Sequence, residues 1–184
     1  MKVDEINIEE TLCFTGHRPN ATGMFGYDTK DPRNKKLLAE LRARIVEAIE
    51  RYGITCFITG MALGVDTWAA RIVLSLKKQY PHIKLIAALP CKAQWKRWKA
   101  DDRYIWRQII DRCDLVHLVS DTEYTPWCMQ VRNVWMVDHS CRTIAVYTGA
   151  ESGGTFNCVD YLKGKNKPLV VVNPHDIQVD AEDV

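Results

Sequence analysis

The stretch Ile54-Thr55-Cys56-Phe57-Ile58-Thr59-Gly60-Met61-Ala62-Leu63-Gly64-Val65-Asp66-Thr67 decides the fold. An apolar, β-branched run from Ile54 to Thr59 stops at Gly60, and a second glycine follows at Gly64. Apolar residues then recur at helical spacing from Val65 to Tyr80, until Pro81. A strand, a glycine turn and a helix therefore stand in immediate succession. The unit repeats in both directions. Leu12 to Thr15 reads as a strand stopped by Gly16, and Arg33 to Tyr52 as a helix ended by Gly53. Downstream, the strands are Ile83–Leu89, Leu115–Ser120, Arg142–Tyr147 and Leu169–Val172. The helices between them are Asp101–Cys113, Pro126–His139 and Thr155–Lys163. Strands that are nearly continuous apolar runs need cover on both faces. The pattern predicts a Rossmann-like, doubly wound α/β fold, with a mainly parallel sheet and helices on both faces.

The chain has 184 residues, a single-domain length, with residues 1–10 as an extension, 11–173 as the domain and 174–184 as a tail. With 25 basic and 23 acidic residues the net charge is only +2, so a strongly basic nucleic-acid footprint is absent and any anion site is local. No apolar run reaches bilayer length and the first ten residues are acidic, so a cytoplasmic protein without membrane partners is expected. The seven cysteines are odd in number and irregularly spaced, which predicts reduced thiols rather than a disulfide framework. The aromatic content leaves room for a homo-oligomer.

In open α/β sheets ligands bind beyond the carboxyl ends of the strands. Three turns there are rich in glycine and polar groups. Gly16, His17 and Arg18 follow the first strand, Gly60, Met61, Gly64, Asp66 and Thr67 the second, and Gly153, Gly154 and Thr155 the fifth. Glycines let a ligand approach the backbone, and the first N–H groups of a helix hold anions. Neither the Walker A pattern nor G-x-G-x-x-G is present. Arg132 and Asn133 on the Pro126–His139 helix add a guanidinium and an amide, although a lone helical Arg usually faces solvent.

Other constellations are weaker. Lys92, Lys96, Arg97 and Lys99 alternate with Trp95 and Trp98, as in single-strand binders, yet the near-neutral charge favours a loop. In that reading Trp98 closes the pocket, where it can stack on a base, or enters the core. Cys113, His117, Cys128, His139 and Cys141 lack paired metal-ligand spacing, so no metal is expected. Cys91 is the one thiol at the crevice end, where Lys92 could lower its pKa.

The motifs Cys13-Phe14-Thr15-Gly16-His17-Arg18-Pro19, Thr59 to Ala70, Leu89-Pro90-Cys91, Met129-Gln130-Val131-Arg132-Asn133 and Gly153-Gly154-Thr155 occur in this order. Together they resemble the YpsA-like family of small SLOG-fold proteins, over roughly Leu12 to Val172. The resemblance implies a Rossmann-like fold shared with the LOG phosphoribohydrolases and DprA. It also implies a pocket for a nucleotide-derived ligand. No cofactor is expected. The LOG pattern M-H-x-R-K is approximated at Met129 to Asn133, which puts Arg132 where a catalytic arginine is expected. The pattern P-G-G-x-G-T-x-x-E is reduced to Ser152-Gly153-Gly154-Thr155, and Cys158 stands in place of the glutamate. Asp66 is then the candidate acid. The expected function is binding of a phosphorylated nucleotide derivative. The alternatives are a nucleoside-5′-monophosphate phosphoribohydrolase acting through Asp66 and Arg132, and a DprA-like single-stranded-DNA binder.

Overall fold

The structure is a computed structural model that describes residues 1–179. The predicted end of the tail, Asp180 to Val184, lies outside the described residues. Six strands, β1 (Thr11–Gly16), β2 (Cys56–Thr59), β3 (Lys84–Leu89), β4 (Leu115–Leu118), β5 (Arg142–Val146) and β6 (Leu169–Val172), form one sheet in the order β4-β3-β2-β1-β5-β6. Every neighbouring pair is parallel. Between them run α1 (Pro32–Tyr52), α2 (Val65–Leu76), α3 (Ala100–Ile110), α4 (Cys128–Asp138) and α5 (Gly154–Gly164).

Strand alternation feeds two cores. Leu12, Phe14, Phe57, Leu85 and Ile144 face one apolar cluster with residues of α1, α2 and α3. Cys13, Cys56, Ile58, Ile86 and Ala88 face another with Met136 and Val137 of α4 and Cys158 and Leu162 of α5. Both faces of the central strands are therefore dry, which is why their sequence reads as unbroken apolar runs. All seven cysteines are free.

Local chemistry sets the helix ends. The Asp31 carboxylate accepts the Arg33 N–H at 2.8 Å and Pro32 opens α1, while Gly53 closes it in the left-handed region at φ 65. The helix α2 stops at Leu76, short of the expected Tyr80, because the Gln79 N–H turns back onto the Leu76 carbonyl and tightens the chain. Likewise α4 starts at Cys128 rather than Pro126.

The order places the site. The chain winds outward from β1 to β4, then returns to add β5 on the other side of β1. The connections after β1 and β5 diverge to opposite faces, and a crevice opens between their carboxyl ends. Among the described residues no helix is long and apolar enough to cross a membrane.

Candidate functional site

A cleft of about 450 Å³ fills that crevice, within the range usual for small-molecule sites. Its floor is Phe14 to Arg18 from β1 and the turn beyond it. One wall holds Ala62, Asp66, Met129, Arg132 and Asn133, and the other Thr148, Ala150 and Ser152 to Thr155.

Asp66 sits in the first turn of α2, 6% exposed, where its Oδ2 accepts the Ala62 N–H at 3.1 Å and Arg132 Nη1 at 3.3 Å. Arg132 is not the solvated helical arginine that composition favours. It is 6% exposed, spans from α4 to α2, and meets Met129 Sδ at 4.0 Å through Nη2. Its Nε has no hydrogen-bond partner. Such an orphan donor is costly when buried, and a polar or anionic occupant of the cleft would relieve it. Asn133, one residue on, donates to the Gly154 carbonyl at 3.2 Å and so ties α4 to the glycine turn before α5.

That turn opens α5. Gly153 takes φ 95, a conformation that suits glycine, and the next residues, Gly154 and Thr155, begin the helix. Their N–H groups belong to the first helical turn and lack intrahelical acceptors. An Arg guanidinium and a helix N-terminus thus border one cavity, which together suit an anion. His17 shares a hydrogen bond with Thr148 Oγ1 at 3.0 Å and stacks on Tyr147. Burial lowers its pKa, which favours the neutral imidazole at neutral pH.

Of the residues singled out from sequence, Gly16, His17, Arg18, Asp66, Arg132, Asn133, Gly153, Gly154 and Thr155 line this cleft. Gly60, Met61, Gly64, Thr67 and Trp98 do not. A Cβ on Gly60 would lie 1.5 Å from Arg132 Nη1, so this glycine makes room for the guanidinium. A Cβ on Gly64 would lie 2.3 Å from the Pro19 ring, and Met61 is fully buried. Thr67 Oγ1 donates to the Gly64 carbonyl at 2.9 Å. Trp98 packs against the core on the α1 side. Cys91 is 1% exposed and burial pushes its thiol up to about 11, while Lys92 pairs with Asp121 at 2.7 Å instead of activating it. Cys158 points into the core beneath α5, its thiol pushed up to about 12 by burial.

Sequence reasoning missed the clamp on the long loop from Pro19 to Pro32, whose Ala21 and Thr22 reach the cleft. Asn34 is fully buried, and its amide donates to the carbonyls of Phe25, Gly26 and Asp28 at 3.3, 3.0 and 2.8 Å. A polar residue on the inner side of an amphipathic helix was the available signal. Asn34→Leu strands three acceptors and is expected to cost about 1–3 kcal/mol. Chemical denaturation measures the loss, and limited proteolysis should find the Pro19–Pro32 loop newly cleaved.

The YpsA family model, described as the YspA SLOG family, matches residues 12–176. The chain belongs to the YpsA SLOG family. Among relatives of this YpsA-family chain, the SPbeta prophage-derived protein YoqJ of Bacillus subtilis is 40% identical over 145 residues, covering 73% of this chain and 84% of that one. A UPF0398 protein of Brevibacillus brevis is 29% identical over 178 residues, covering 94% and 93%. Two solved DNA processing proteins share the fold. That of Helicobacter pylori, described for its single-stranded DNA binding mode, superposes with TM-score 0.60 at 16% identity, over 92% of this chain and 66% of that one. The DprA of Streptococcus pneumoniae gives 0.55 at 14%, over 88% and 49%. The YpsA-family chain thus spans less than two thirds of either DNA processing protein.

Proposed function

We propose that this protein binds a phosphorylated, nucleotide-derived small molecule in the cleft between β1 and β5, acting as a sensor or sequestering protein. The observation that carries the reading is Arg132, which lines the cleft while buried and leaves its Nε without a partner. The N-terminus of α5 borders the same cavity, so a phosphate would meet a guanidinium and free N–H groups together. The ion pair of Asp66 with Arg132 supports positioning of the arginine. Hydrolysis is not favoured, because the LOG-like glutamate position is occupied by Cys158, a core thiol whose pKa is pushed up to about 12.

Calorimetry with AMP, ADP-ribose and cyclic nucleotides tests the reading, alongside native mass spectrometry of the protein as purified. One of these ligands is expected to bind, and Arg132→Ala should weaken it by about 1.5–3 kcal/mol, roughly 10- to 150-fold. Free base released from AMP should stay at background. Base release abolished by Asp66→Asn would establish the enzyme reading instead. Salt-sensitive oligonucleotide binding lost in Trp95→Ala would favour a nucleic-acid binder.

A further inference from the structure

On the outer side of α1, cations and carboxylates answer one another. Arg44 pairs with Glu40 and Glu47, and Arg51 with Glu47. Each such pair contributes little to stability, but the face stays close to neutral. The groove between α2 and α3 is built differently. Arg71 of α2 and Lys78 just beyond it form one wall, and Arg112 just beyond α3 stands on the other. Among the described residues no carboxylate lines this groove, and no hydrogen bond or ion pair engages the side chains of these three exposed cations. A cation past a helix end complements the macrodipole, which accounts for Lys78 and Arg112 one at a time. Arg71 stands in mid-helix and has no such role.

Beneath the charges the groove is apolar. It encloses about 480 Å³ and shares no lining residue with the cleft. Leu74 and Ile109 are buried at its floor, while Ile105 is 38% and Tyr104 67% exposed along its α3 wall. The helices α2 and α3 run in the same direction, since each returns the chain to the start of a parallel strand. Arg71 therefore stands at the end that holds Tyr104 and Ile105, and Lys78 faces Arg112 about two helical turns further on. Exposed apolar side chains rimmed by polar groups mark interaction sites, and Tyr and Arg are their usual anchors. The ends of the groove decide what fits. Asp102 lines a smaller hollow beyond Arg71 and Ile105, and Asp111 and Asp114 flank Arg112 in sequence. A nucleic-acid strand would carry its phosphates past both ends onto these carboxylates, and its affinity depends on many phosphate contacts. A short acidic segment with an apolar side chain needs only the two turns between them.

We propose that the groove between α2 and α3 is a docking site for a short acidic segment of a partner protein. The segment sets an apolar side chain against Tyr104, Ile105 and Leu74, and its carboxylates against Arg71, Lys78 and Arg112. The inference does not depend on which ligand the cleft takes. A phage-displayed random dodecapeptide library panned against the full chain tests it. Retained sequences should combine aspartate or glutamate with a large apolar residue, and a synthetic peptide of that sequence should bind less tightly as salt rises. Arg71→Glu combined with Lys78→Glu and Arg112→Glu should weaken that peptide by about 10- to 100-fold. Tyr104→Ala keeps every charge, guards against a folding defect in the triple variant, and should cost about 5- to 30-fold. Circular dichroism spectra should match the wild type, because the cations replaced are exposed. Lys163→Glu, on α5 across the sheet, should leave the affinity unchanged. A library that yields no acidic sequences, or a peptide whose affinity survives both the charge reversal and Tyr104→Ala, would overturn the proposal. So would equal weakening by Lys163→Glu, or an oligothymidylate that binds more tightly than the peptide and is lost in the same variants.

Discussion

Asp66→Ala is expected to destabilise the protein by about 3–5 kcal/mol, the cost typical of leaving one member of a buried ion pair alone. The two side chains are 7% and 8% exposed, and without the carboxylate the Arg132 guanidinium retains only the Met129 sulfur at 4.0 Å. The second half of the experiment is Asp66→Ala combined with Arg132→Met, which removes both charges. Buried pairs replaced by apolar groups of similar volume often recover most of the loss, so the double variant should return to within about 1–2 kcal/mol of wild type. Denaturant midpoints at constant slope measure both quantities. The same double variant should fold yet fail to bind a phosphorylated ligand, which separates the structural from the binding contribution of Arg132. A single Asp66→Ala loss under about 1 kcal/mol would mean that the pair acts like an exposed one, hydrated through the cleft.

Gly64→Ala should be comparably damaging for a different reason. Gly64 has φ 93 and ψ −125, where a side chain is strained, and a Cβ there would stand 2.3 Å from the Pro19 ring. Strain of about 1–3 kcal/mol adds to overpacking of a similar about 1–3 kcal/mol. Because Pro19 begins the cleft-side loop, the clash would also push that loop away from α2. Gly149→Ala provides the comparison. Its φ of 85 is similarly positive, but nothing lies within 4 Å of the added Cβ. It should lose only the strain contribution, so the gap between the two melting temperatures isolates the Pro19 contact. Equal losses would remove the packing explanation.

The glycine turn after β2 shows how far local sequence reaches. Its position between a strand and a helix was legible, because a continuous apolar run gives way to helical spacing across it. That its glycines accommodate Arg132 and Pro19 was not. Both partners are distant in sequence, and only the folded arrangement brings α4 and the Pro19 loop against α2. Trp98 teaches the same lesson in reverse. Its neighbours made it a candidate for stacking on a ligand, but indole burial against the core on the α1 side competes with exposure at a pocket, and no local pattern distinguishes the two.

The sequence by itself determined the layered architecture. Alternation of apolar strand runs with amphipathic helices leaves few ways to bury both faces of a sheet, and short connections with right-handed crossovers reduce them further. It also determined the glycine turns at the carboxyl ends, since conformations such as φ 95 at Gly153 are encoded residue by residue. The tertiary structure decided the strand order that puts β5 beside β1, and with it the crevice where Arg132, Asp66, His17 and the N-terminus of α5 converge. It decided too that Arg132 is buried and paired while Trp127 is exposed. The physical reason is that side-chain environment depends on which elements pack together, and those contacts join residues such as 66 and 132 that share no local sequence signal.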